Sequence, residues 1–251
     1  MKIKQGTIAS STIFRTLAEL NAAVVHCQKC PRLVAYREAV AKEKRRAFLS
    51  WEYWGRPVPS FGDPKAQLFI LGLAPAAHGA NRTGRMFTGD RSGDFLYQAL
   101  YRSSFANQPT SQHRGDGLEL ENAYISATLR CAPPANKPLP DELAHCRPYW
   151  ERELEILKPG AILALGGIAM RAYLALLKSR GQISHHADFP FAHGASYSLG
   201  SDLPRLFASY HPSQQNTFTG KLTEEMMESL LKEIRRFLSK ESDHNPTRRT
   251  S

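Results

Sequence analysis

The chain has 251 residues, 42% hydrophobic and 22% charged, with 33 lysines and arginines against 23 aspartates and glutamates, a net charge of +10. That length can bury a full core without disulfide help, and no run approaches the roughly 18 apolar residues a membrane helix needs. The first twenty residues lack a basic-then-apolar signal pattern. The expectation is therefore a cytoplasmic protein, and the basic excess suggests a polyanionic partner, most simply nucleic acid.

In chain order, helical spacing predicts helices at 12–28 and 31–46, then a strand at Gln67–Leu73 and a helix at 93–105. A second strand at Asn122–Thr128 precedes a helix at 141–157. A third at Ala161–Leu165 leads into a helix at 167–180, and a fourth at Arg205–Tyr210 into a last helix at 222–239. In that helix Leu222, Met226, Leu230, Ile234 and Phe237 recur on one face, which marks a core stripe. The four strand runs are nearly continuous in apolar character, as in strands buried on both faces. Helices between them imply a three-layer α/β/α sandwich around a central, mostly parallel four-stranded sheet. A single domain over 1–240 is expected, with a small hairpin in 181–204 and a polar, disordered tail at 241–251. The run Lys42, Lys44, Arg45, Arg46 reads first as a solvated helix face, with a nucleic-acid contact as the minority reading.

Four cysteines are present: Cys27, Cys30, Cys131 and Cys146. In a reducing compartment such a set reads as metal or cluster ligation. Cys27-x-x-Cys30 lets two thiolates converge from one turn. The second pair lies 14 residues apart instead of repeating that spacing, which shifts weight from a zinc ribbon toward an iron–sulfur cluster. The alternative is four unrelated buried cysteines.

In an open parallel sheet, ligands bind beyond the carboxyl ends of the strands. After the first strand runs the long segment Gly72 to Asp90, whose glycines and small residues admit a ligand to the backbone. Arg82 and Arg85 within it could meet phosphates. Asp90 is either a helix cap or a catalytic carboxylate. After the second strand comes Cys131-Ala132-Pro133-Pro134-Ala135-Asn136, and after the fourth comes His211-Pro212-Ser213-Gln214-Gln215, with the proline stiffening the position next to the imidazole.

Taken together, Cys27-x-x-Cys30, Gly72–Ala76, Asn81–Asp90, Cys131–Pro134, Cys146 and His211–Ser213 resemble the family-five (B-type) iron–sulfur uracil-DNA glycosylases over about residues 20 to 238. The resemblance implies a monofunctional DNA-repair glycosylase that flips out uracil, and other deaminated bases, and hydrolyses the N-glycosidic bond. It implies a [4Fe-4S] cluster on the four cysteines and a monomer acting on DNA. The carboxylate that family-four relatives carry in the first motif is replaced here by Leu73, and its role passes to Asp90. The base-reading asparagine of many relatives is Ala127 here, which fits a roomier pocket. On this reading Asp90 and His211 are catalytic. Gly72, Ala74, Ala76, Phe87 and Asn136 form the base pocket, with Phe87 stacking on the base. Arg82, Arg85, Ser213, Gln214 and Gln215 contact DNA. The rival is a zinc-stabilised basic nucleic-acid-binding module without catalysis. A nucleotide-binding enzyme is disfavoured, because neither G-x-G-x-x-G nor a Walker A motif occurs.

Overall fold

The structure is a computed structural model and describes residues 14–244. The expected N-terminal helix settles as α1 (Leu17–Val24), capped by Thr16 and Glu19 in a reciprocal capping box; positions 12 and 13 lie outside the described residues. Pro31 opens α2 (Pro31–Glu43), where its missing N–H costs nothing. The four expected strands appear as β2 (Leu68–Gly72), β3 (Ala123–Ala127), β4 (Ala161–Leu165) and β6 (Arg205–Ser209). They run parallel in the order β3-β2-β4-β6.

Two strands were not foreseen. β1 (Phe61–Gly62) and β5 (Ser196–Tyr197) add antiparallel edges to β3 and β6, so the sheet has six strands rather than four. Each is two residues long, too short to leave a period in the sequence. The hairpin expected within 181–204 is instead formed between β5 and β6.

Every residue of β2, β3 and β4 is buried, and alternate side chains feed two cores. Leu68, Ile70, Ile125, Leu163 and Phe207 pack toward α4 (Arg91–Arg102) and α8 (Glu224–His244). Phe69, Leu71, Tyr124, Ile162 and Leu206 pack toward α5 (Pro140–Leu157) and α6 (Gly167–Ser179). Each such side chain contributes about 1.5–3 kcal/mol by leaving water. The result is the three-layer α/β/α arrangement. The stripe on α8 is broader than expected: Leu230 and Ile234 are buried, as are Met227, Leu231 and Leu238, while Met226 and Phe237 are only partly covered. The helix continues through His244, four residues into the expected tail; 245–251 lie outside the described residues. Among the described residues no helix is long and apolar enough to cross a membrane.

The strand order places the site. From β2 the chain moves outward to β3, then returns past β2 to β4 and continues to β6. Loops after β2 and β4 thus leave in opposite directions and open a crevice at their carboxyl ends.

Candidate functional site

Two glycines border that crevice. Gly72 ends β2, and the ring of Phe87 lies so close that a β-carbon at 72 would stand 3.0 Å from it. Gly166 follows β4, and its Cα faces the β-carbon of His211, which arrives from the end of β6. The Phe87 and His211 rings then meet across the crevice, with centroids 5.9 Å apart.

Phe87 is held in the left-handed region at φ 51°, a conformation that costs of order 1–3 kcal/mol for a bulky residue. The surroundings enforce it. Tyr97 Oη donates to the Met86 carbonyl (2.9 Å), and the Thr88 hydroxyl donates to the same oxygen (3.1 Å). Gly93 in the first turn of α4 presses against the Phe87 carbonyl, where no β-carbon would fit.

Asp90 caps α4, accepting from Gly93 N–H at 2.9 Å. The capping expectation is therefore correct, and the other carboxylate oxygen lies against Gly79. Burial pushes the Asp90 carboxyl above its ordinary range; the Gly93 and Ser92 amides and the Arg82 charge oppose that, while Asp94 adds to it. Asp90 lines a cleft of about 890 Å³, large enough for a nucleotide-sized ligand. Its walls include Ala76, His78, Gly79 and Arg82 from the segment after β2, Asn136 from the loop after β3, and Gln214 and Phe218 from α7 (Gln214–Phe218).

His211 and Phe87 are not among the residues lining that cleft; Phe87 stands three residues before Asp90 in the chain, and His211 three before Gln214. Desolvation lowers the His211 pKa to about 4. The His211 carbonyl accepts from Ser213 N–H and from the Asn216 side chain, both at 2.8 Å, which fixes the turn after β6. Asn136 follows Ala135 with both in the left-handed region, and it is exposed at the cleft. Gln215 is exposed and Ser213 half-buried beside it. Ala74 packs against the cysteines.

The expectation that Arg82 and Arg85 reach phosphates is corrected. Arg85 is buried and grips Asp116 with both Nη atoms (2.8 and 2.7 Å), while Ser111 accepts from Nη2 and Thr88 from Nε. Arg82 is also buried, stacked between Phe48 and Trp51. The Arg85 guanidinium is engaged by the protein itself, and that of Arg82 is held by two aromatic rings and two backbone carbonyls, with Nη1 unpartnered among the described residues. Sequence reasoning missed the 45–54 segment, which brings Arg45, Phe48 and Trp51 to the cleft wall. The signal was present: aromatics interleave with the basic run, a pattern suited to nucleic acid.

Cys27, Cys30, Cys131 and Cys146 converge on one cavity between α2, α5 and the loop after β3, and none is disulfide-bonded. The cavity carries donors aimed at sulfur: Arg37 Nη1 donates to Cys131 Sγ (3.0 Å) and Arg130 N–H to Cys146 Sγ (3.2 Å). Arg37 Nε is buried without a partner. Burial pushes the Cys131 thiol up to about 11 and Cys146 to about 12, with nearby arginines opposing. A single zinc would draw four thiolates to about 3.8 Å of one another. Among the described residues no group of three or more His, Cys, Asp or Glu is gathered to hold one metal ion.

Residues 59–235 match the model of the Uracil DNA glycosylase superfamily. A Type-5 uracil-DNA glycosylase of Mycobacterium tuberculosis is 49% identical over 223 residues, covering 88% of this chain and 81% of the relative. One from Thermus thermophilus is 51% identical over 211 residues, covering 84% and 93%. One from Pyrobaculum aerophilum is 44% identical over 209 residues, covering 83% and 88%.

Proposed function

The chain belongs to the uracil-DNA glycosylase superfamily, and we propose that it is a monofunctional base-excision glycosylase that removes uracil from DNA as a monomer and, through a roomy pocket, other deaminated bases. The supporting observation is the arrangement at the crevice: an aromatic ring between Gly72 and His211, with a half-buried carboxylate three residues further on.

A base inside a duplex is out of reach, so it must be flipped out at a cost of a few kcal/mol. Phe87 offers the flipped base a stacking surface, worth about 1–3 kcal/mol. Cleavage then builds positive charge on the sugar and negative charge on the departing base. His211, neutral because burial lowers its pKa to about 4, can donate an N–H to the base oxygen without itself carrying charge. Asp90, ionised, opposes the developing sugar cation and orients a water toward the anomeric carbon, as carboxylates do in glycoside hydrolysis. Ala76 and Asn136 lie on the same cleft and supply the wall of the base pocket. Gln214 and Gln215 lie on the face that meets the duplex.

Cys27, Cys30, Cys131 and Cys146 would hold a [4Fe-4S] cluster. Their convergence on one cavity with two N–H···S donors supports a shared centre held by the four thiolates. When bound, the cluster supplies four covalent tethers between the N-terminal helices, the loop after β3 and α5. The Arg37 and Arg130 donors would offset its thiolate charge.

The test is cleavage of a uracil-containing oligonucleotide by wild type, Asp90→Ala and His211→Ala. Both variants should lose at least about 100-fold in single-turnover rate. Wild-type rates in both would overturn the assignment of roles, and an inactive wild type would overturn the activity.

A further inference from the structure

We propose that Arg82 is the positioning residue for Asp90: its guanidinium ties down the backbone just before that carboxylate and supplies the buried positive charge that opposes it. This rests on the reading of Asp90 given above and assigns the group that keeps it serviceable.

Arg82 is 4% exposed. Its guanidinium is clamped between the rings of Phe48 and Trp51, 3.9 and 4.0 Å from their centroids. Nε donates to the His78 carbonyl at 2.8 Å and Nη2 to the Gly89 carbonyl at 2.6 Å. These two bonds draw together the residues on either side of α3 (Ala80–Thr83), and Gly89 is the immediate neighbour of Asp90. Gly89 permits the approach: a β-carbon there would lie 2.6 Å from Nη2. Nη1 has no hydrogen-bond partner among the described residues, and Arg82 enters none of the ion pairs found there. Yet Arg82 and Asp90 line the same cleft.

A buried guanidinium without a counter-ion is costly. The two aromatic faces offset part of that cost, and the attraction of Asp90, which lines the same cleft, offsets a further part. The other groups facing Asp90 cannot replace it. Asp94 on α4 has the same sign, and Tyr97 is a neutral phenol deep in the core. Arg91 leans over the ring of Phe218 at the rim. His78 is held toward its neutral form, by burial first and then by Arg45 and Arg82.

The experiment measures single-turnover cleavage of a uracil oligonucleotide from acid to neutral pH for wild type, Arg82→Met, Arg82→Lys and Asp90→Asn. In Arg82→Met the acid limb should move to higher pH, the direction expected on removing an opposite charge. In Arg82→Lys the rate should fall while the limb stays in place, because the charge survives and the fork does not. A purely structural arginine would lower the rate without moving the limb. An unmoved limb in Arg82→Met, or an equal shift in Arg82→Lys, overturns the proposal. If Arg82→Met fails to fold, Trp51→Ala decides: opening the clamp to water should move the limb the same way by less, and no movement overturns the proposal. Asp90→Asn separates the two readings. Wild-type rates in that variant would sink the role of Asp90 itself. Loss of rate there with an unmoved limb in Arg82→Met would sink only the role of Arg82.

Discussion

The Asp90 carboxylate rests directly on the backbone of Gly79: a β-carbon at residue 79 would stand 2.0 Å from Oδ2. Gly79 caps α3 with φ −99° and ψ −104°, so its lack of a side chain matters here for close approach and not for a left-handed backbone. One carboxylate oxygen accepts from the start of α4, and the carboxylate as a whole is backed by the start of α3.

Gly79→Ala should therefore act as an active-site mutation although residue 79 has no side chain to do chemistry. The added methyl must push the carboxylate away or spread the two helix starts. A displacement of about 1 Å at a catalytic group costs on the order of 100-fold. Single-turnover rates should fall by about that factor, with unfolding free energy lowered by only about 1–3 kcal/mol. A folded Gly79→Ala protein with wild-type rate would show that the position of Asp90 is not critical.

His211 makes stability fall on the acid side. Its folded pKa of about 4 lies below the ordinary value of 6.5 because burial disfavours the cation. Between those values the unfolded chain binds the proton and the folded chain does not. The neutral imidazole is thus accommodated without loss above pH 6.5, and stability is lost as pH falls from there toward 4. The loss is at most about 3 kcal/mol. Urea unfolding of wild type and His211→Gln over this range should show a shallower acid decline in the variant. Parallel declines would place the imidazole in water.

Much of this was legible in the sequence, for identifiable reasons. The four parallel strands are continuous apolar runs with burial on both faces, so their ends were found within a residue or two. The segments after β2 and β6 stood out because each carries glycine, proline or histidine where a strand stops. The arginines were misread because partners distant in sequence decide whether an arginine is buried. Nothing near Arg85 announces Asp116, and nothing near Arg82 announces Phe48 and Trp51. The left-handed backbone of Phe87 was likewise invisible, since it is set by Gly93 and Tyr97 from the following helix.

Arg85 should behave as a structural residue. Burial works against an ionised Asp116, but the bidentate Arg85 contact and three backbone N–H donors overcome it and hold the carboxyl far below its usual range. That stability is present above the ordinary carboxylate pKa and is lost as pH falls below it. Arg85→Met leaves the half-buried Asp116 with its backbone donors alone and should cost about 3 kcal/mol in denaturant unfolding. The salt dependence of DNA binding should keep its slope, whereas loss of a phosphate contact would lower it by about one. A small stability change with a reduced slope would return Arg85 to the DNA surface.

The cysteine cavity predicts a coloured protein whose colour and stability vanish together. As free thiols, Cys131 and Cys146 would stay protonated at neutral pH, because burial raises them to about 11 and about 12. Metal binding must release those protons, so cluster retention should weaken toward acid. Protein purified without oxygen should carry about four irons and a visible sulfur-to-iron absorption band. Cys131→Ser or Cys146→Ser should remove that band and lower Tm by at least about 4 °C, the size expected when roughly 2 kcal/mol is lost from a chain of this length. The tethered elements say why the effect reaches the chemistry. Cys131 stands five residues before Asn136 on one loop, and Cys27 and Cys30 precede the helix whose Tyr36 lines the cleft. A colourless protein holding one zinc per chain would replace the cluster with a single ion.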